Sequence, residues 1–160
     1  MKKLTVLLLI GLTSALQAQE KITSLKTVST NFERIEIIKM DPGTDMFDGL
    51  TQAVKEKSIK NGVIVAGIGS VTDYCVHVVS DKNLPPAQEY PRASVAMDLI
   101  SVQGYILNGR IHAHIILSDE NSAIGGHLEK GTVALTFFII TIGVLPDDLN
   151  ISDLDSYRKN

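Results

Sequence analysis

From residue 62 to residue 145 the chain is a succession of β-prone apolar runs broken by short turn signals. Only the stretch before it has helical spacing, and no regular helix–strand alternation follows. This pattern limits the fold more than any other feature. Residues 32–40 read as a first strand, with Phe32, Ile35, Ile37 and Ile38 as its apolar content, stopped by Asp41-Pro42-Gly43. Thr44 or Asp45 can cap the helix that follows, whose positions Met46, Phe47, Leu50, Ala53 and Val54 recur at helical intervals. Asn61-Gly62 reads as its stop. Residues 62–69 then read as a buried strand ending in a glycine turn, and 71–80 as another. Residues 81–94, with Pro85, Pro86 and Pro91, read as a loop. Strands are expected again over 95–107 and 133–145. Leu107-Asn108-Gly109 marks a tight hairpin between the first of these and the strand that follows it. The expectation is an α+β domain built on a mostly antiparallel sheet with one principal helix.

The N-terminal segment is a different kind of sequence. Lys2 and Lys3 precede an apolar run over residues 4–16, and Leu16-Gln17-Ala18 offers a small-residue cleavage site. Residues 1–18 therefore read as a secretory signal peptide, too short for a membrane span of roughly 20 apolar residues. Export to the periplasm or beyond the cell is the expectation, with no membrane span in the mature chain. Residues 19–31 form a polar leader, 32–146 the domain, and 147–160 a polar tail read as frayed. Loss of Lys2 and Lys3 takes the formal net charge from −3 to −5. An acidic chain is poorly suited to nucleic acid, whose phosphates call for clustered Lys and Arg. Cys75 is the single cysteine, so no intramolecular disulfide forms. It reads as a small buried residue.

The chemistry concentrates in residues 109–128, which hold three of the four histidines. His112 and His114 stand two apart in a run rich in isoleucine. In a strand that spacing puts both imidazoles on one face. Residues 118–123 are turn-forming and can return the chain so that His127 approaches the pair. Three imidazoles with a further position left to water suit an open zinc site, and copper, nickel or iron are the other divalent candidates. The alternative is a set of surface histidines engaged in hydrogen bonds. Gly125-Gly126 allows close backbone approach just before His127. His77, the fourth histidine, has no partner near it in sequence and stands outside the set. Asp119 and Glu120 belong to the turn. Gly67-Ile68-Gly69 lacks the third glycine of a dinucleotide loop and any Gly-Lys-Ser/Thr ending, so it reads as a place of close packing.

Four segments in order carry a family likeness. They are Gly-Ile-Gly-Ser at 67–70, Leu-Ile-Ser-Val-Gln-Gly-Tyr-Ile at 99–106, His-Ala-His-Ile-Ile-Leu-Ser-Asp at 112–119, and Gly-Gly-His-Leu at 125–128. Together they resemble the plants-and-prokaryotes conserved (PPC) domain, over roughly residues 33–145. The resemblance implies an antiparallel α+β fold similar to that of acetolactate decarboxylase, a zinc enzyme, and it implies a homotrimer. It also implies His112, His114 and His127 as metal ligands. Asp98 stands where the family often carries a Glu, which suggests a general base or ligand-orienting group; the other reading is a polar residue at a strand edge. In plants the domain follows an Arg-Gly-Arg-Pro hook for the DNA minor groove, and this sequence contains no such segment. Three functions follow as expectations. The first is a trimeric zinc-dependent hydrolase or lyase acting on a small molecule. The second is a non-catalytic module for a ligand or protein. The third is DNA binding, which rests on the family label alone.

Overall fold

A computed structural model describes residues 25–157; the signal-peptide segment lies outside the described residues, as does part of the leader. Seven strands and one helix follow in the order β1 (Arg34–Met40), α1 (Met46–Glu56), β2 (Asn61–Val79), β3 (Gln88–Glu89), β4 (Arg92–Leu107), β5 (Arg110–Ser118), β6 (Ala123–Leu128) and β7 (Val133–Leu145). The strands form one antiparallel sheet in the order β1-β7-β2-β4-β5-β6, with β3 paired to the end of β2. The end of β2 also pairs with β6, Val76 opposite Leu128 and His77 opposite His127. Strands β2, β4, β5 and β6 therefore close into a ring. The expected α+β class, mostly antiparallel with one helix, is the fold observed.

The helix forms where its apolar spacing placed it. Asp45 is the N-cap, its carboxylate accepting the backbone N–H of Asp48 at 3.1 Å. Met46, Leu50 and Val54 share a face and bury it against the sheet. The helix ends earlier than Asn61-Gly62. Ser58 takes a left-handed conformation (φ 51°), the Ile59 amide bonds to the Val54 carbonyl at 2.9 Å, and the Ser58 amide to that of Lys55 at 3.2 Å. These two bonds form a Schellman cap, which a serine here closes without a glycine. Asn61 instead begins β2, fully buried, and its side-chain amide donates to the carbonyls of Pro146 and Leu149 at 3.0 and 2.9 Å.

Three further expectations need correction. The segments 62–69 and 71–80 are one 19-residue strand, because Gly67-Ile68-Gly69 is no turn. A Cβ on Gly69 would lie 2.0 Å from the Phe137 carbonyl oxygen, so the bare backbone lets β7 close onto β2. Register shifts on either side of this point bend the strand without ending it. The tail is also not frayed through its described part. Ile151 is buried with Leu107 and Leu145 in a second small core, and Lys60 and Asn61 bind the carbonyls that lead to it. The loop at 81–94 is shorter than expected, since β3 and the first residues of β4 occupy part of it.

The hairpin at Asn108-Gly109 is as read. Both residues have positive φ (53° and 78°), and Leu107 pairs with Arg110 across the turn. This is a two-residue type I′ connection. It sets the register that places Tyr105 opposite His112 and Gln103 opposite His114.

Candidate metal centre

Strand β5 divides its side chains by period two. Ile111, Ala113, Ile115 and Leu117 are buried in the core, while His112 and His114 stand on the opposite face. A Cβ on Gly104 would lie 2.1 Å from the His112 carbonyl oxygen. The missing side chain lets β4 and β5 pair closely behind the histidines. The turn at 118–123 is closed by Asp119, whose carboxylate accepts the backbone N–H groups of Asn121 and Ser122 at 2.8 and 2.7 Å. It returns the chain as β6, and His127 arrives opposite His114.

Gly126 determines how closely β6 can lie against β2. A Cβ there would meet the His77 carbonyl oxygen at 2.7 Å. The close approach expected of this glycine pair is thus made, to strands of the same chain. It also puts His77 directly opposite His127.

The result is a cluster of all four histidines. The rings of His77 and His127 stack with centroids 4.3 Å apart. The centroids of His112 and His114 lie 5.0 and 5.4 Å from that of His127, and 5.5 Å from each other. The rings of the three histidines singled out in the sequence are neighbours, although neither His112 nor His114 belongs to the group whose ligand atoms converge, and His77 joins them through a pairing that no local pattern announces. Glu129 also enters. Ligand atoms of His77, His127 and Glu129 all lie within 4.8 Å of one another. Glu129 stands two residues after His127, the same spacing that marked His112 and His114, so a signal for it was present.

Each side of the cluster carries a histidine–carboxylate pair. His77 Nδ1 donates to Glu129 Oε1 at 2.7 Å. His112 Nδ1 donates to Asp155 Oδ2, also at 2.7 Å. Asp155 comes from the C-terminal segment and receives a bidentate Arg110 at 2.6 and 2.8 Å. Arg110, with a smaller contribution from His112, holds the Asp155 carboxyl well below the usual carboxylate range. Between the two pairs, His127 Nδ1 is buried with no hydrogen-bond partner among the described residues; Glu129 Oε1 lies 3.4 Å away without hydrogen-bond geometry. Burial, reinforced by repulsion from His77 and His112, pushes the His127 imidazole down to about 4. Partial desolvation likewise lowers His114, which stays exposed on one side, with help from His112 and His77. These are conditions for neutral imidazoles with free lone pairs, the form that binds a metal. A cavity of about 580 Å³ opens beside His112 and His114, walled by Gln103, Tyr105, Leu107 and Leu154.

Asp98 is not brought to the cluster. It pairs with Ser118, four residues along β5 from His114, or roughly 13 Å at strand rise. It lines a separate cavity with Ile68, Ser70 and Thr136. Period and register explain this: the carboxylates that reach the histidines are Glu129, just past β6, and Asp155 of the C-terminal segment. Cys75 is buried, as its small apolar character suggested.

The Plants and Prokaryotes Conserved (PCC) domain profile matches residues 27–146, and the chain belongs to this family. Among solved structures, the chain is similar to the metal-containing protein of Archaeoglobus fulgidus, with TM-score 0.67 and 18% identity, covering 76% of this chain and 86% of that one. It is similar to the PPC protein of Pyrococcus horikoshii, with TM-score 0.63 and 21% identity over 76% and 85% of the two chains. A more distant likeness joins it to a Staphylococcus aureus protein of unknown function described as similar to α-acetolactate decarboxylase, with TM-score 0.51 and 11% identity over 78% and 60%. No curated protein matches the chain. The likeness to acetolactate decarboxylase expected from sequence therefore holds at the level of fold.

Proposed function

We propose that this chain is an exported, homotrimeric PCC-domain protein that binds a divalent transition metal, zinc by preference, through His112, His114 and His127. The observation that carries this reading is the buried, unpartnered His127 Nδ1 amid three other imidazoles. A desolvated ring nitrogen without a hydrogen-bond partner is costly unless something binds it. Three neutral imidazoles suit zinc or its late first-row neighbours, and the Archaeoglobus fulgidus relative is described as metal-containing. Such an ion, once bound, would polarise a carbonyl or acidify a water. Glu129 is the carboxylate placed to take up or deliver a proton there, and the adjoining cavity is of a size for a small molecule. A metal-dependent hydrolase or lyase on a small substrate follows.

The 4.8 Å convergence of His77, His127 and Glu129 supports a second ligand set that shares His127. A non-catalytic ligand- or protein-binding module is the alternative function; it would use the same cluster without proton transfer. The acidic charge balance argues against a nucleic-acid partner.

Trimer assembly is supported by the outer face of the sheet. Ile37, Ile68, Ile100 and Ile116, on four different strands, are about half exposed or more. Among the described residues no helix is long and apolar enough to cross a membrane. An apolar face of this extent on a folded domain is ordinarily covered by protein. Export rests on the signal-peptide pattern of residues 1–18.

The test is the metal content and oligomeric mass of the purified mature protein beside a His112→Ala/His114→Ala double variant. Near-stoichiometric zinc in a trimer, lost in the variant, is the expected result. Retention of metal by the double variant would transfer the site to His77, His127 and Glu129. Absence of metal from both proteins after incubation with zinc would leave the interaction module.

A further inference from the structure

Asp155 lies 43 residues from His112 in the chain, in a segment whose sequence has no periodicity and no motif. Its place in the structure is nevertheless tightly built. Asn61, buried at the start of β2, binds the carbonyls of Pro146 and Leu149. Ile151 fills a small core with Leu107 and Leu145. Leu154 then lies against the cavity beside the histidines, and Asp155 reaches β5. There Arg110 and His112, two apart and on one face of the strand, both donate to it. The carboxylate is 19% exposed and accepts three hydrogen bonds from two side chains. An ion pair that merely tied down the tail would need Arg110 alone.

The bond to His112 has a chemical consequence. A carboxylate only accepts, so Nδ1 of His112 must carry the hydrogen. In a neutral imidazole Nε2 then holds the lone pair. The ring is also fixed in rotation, since Asp155 is itself fixed by the planar guanidinium. We infer that Asp155 is a positioning residue for the metal centre, holding His112 in the tautomer and orientation that present Nε2 to the ion, with Arg110 as the clamp on Asp155. This rests on the reading of His112 as a ligand. The C-terminal segment is then part of the centre, and the tail completes what the three histidines begin. Carboxylates that orient a ligating histidine in this way are worth about 10–100-fold in metal affinity.

The experiment uses the full mature chain with Asp155→Ala and the isosteric Asp155→Asn, so that one folded variant is available. Lys26→Ala is the control, because it breaks a different ion pair of the same tail, to Asp153 at 2.7 Å. Three readouts are taken: imidazole ¹⁵N shifts of the metal-free proteins, zinc affinity by chelator competition, and the thermal midpoint of the metal-free proteins. Wild type should show His112 as the single Nδ1–H tautomer, and both Asp155 variants a mixture. Zinc affinity should fall about 10–100-fold in them and stay unchanged in Lys26→Ala. Zinc binding by wild type that is equally tight in both Asp155 variants overturns the positioning role and leaves the metal reading intact. A weaker affinity that tracks a lower thermal midpoint, with the His112 tautomer unchanged, also overturns it, as a purely structural effect. Failure of wild type to bind zinc removes the metal reading, and this role with it.

Discussion

The two histidine–carboxylate pairs that flank the cluster have the same bond length and different construction. Asp155 is clamped by Arg110 and accepts from three donor atoms. Glu129 touches His77 and His127, and among the described residues no Lys or Arg pairs with it. The first is a fixed acceptor that orients. The second remains free to exchange one partner for another, as a proton carrier or metal-facing group must. One face of a sheet thus holds a rigid carboxylate and an available one, on opposite sides of a partly buried imidazole. The difference comes from a single arginine two residues before His112.

The largest effect should come from breaking the rigid pair through its backbone. Gly104→Val must place a branched side chain where a Cβ already lies 2.1 Å from the His112 carbonyl. Overpacking of this kind costs about 1–3 kcal/mol or more. A clear fall in the melting temperature is expected, with loss of the Asp155 contact to His112. An unchanged melting temperature would show that the β4–β5 pairing is not tight at this point.

Glu129→Gln sharpens the comparison from the other side. If Glu129 serves as the available carboxylate and not as a ligand, zinc should be retained with an affinity within about tenfold of wild type. Complete loss of zinc would move Glu129 into the ligand set and favour the group it forms with His77 and His127.

The pH dependence follows from the imidazole between the pairs. His127 sits at about 4 in the folded chain against 6.5 for an ordinary imidazole. Between those values the unfolded chain binds more protons than the native one, so stability rises with pH across the window. The metal-free protein should therefore lose stability as pH falls from about 6.5 towards 4, and His127→Gln should flatten the slope. Denaturant melts at a series of pH values provide the check, and a slope of the opposite sign would refute the neutral imidazole.

The smallest effect is expected at Asp98. Its separation from the histidines along β5 predicts that Asp98→Asn leaves zinc affinity unchanged. A substantial change, measured by the same chelator competition, would tie the second cavity to the centre.

Much of this arrangement could be read from the chain. The period-two placement of His112 and His114, the Asn108-Gly109 hairpin and the return to His127 all depend on contacts within about 20 residues, where turn chemistry governs register. Gly125-Gly126 announced a close approach, and β6 makes it on both sides. What escaped is non-local. His77 meets His127 only because β2 runs on past Gly69, a continuity that the glycines disguised as a turn. Asp155 escaped because a polar segment held by a buried asparagine and one isoleucine shows no periodicity to read. Asp98 occupies the place of a glutamate in the family pattern, while register assigns it to another part of the sheet.

The most direct test of the centre is a cobalt(II) titration of the metal-free protein followed in the visible region, with wild type beside His127→Ala. The account predicts ligand-field bands of a low-symmetry, imidazole-bound ion that saturate stoichiometrically in wild type, are displaced by zinc, and are absent from the variant. A spectrum that stays that of aqueous cobalt throughout the wild-type titration, or bands of equal strength in His127→Ala, would contradict it.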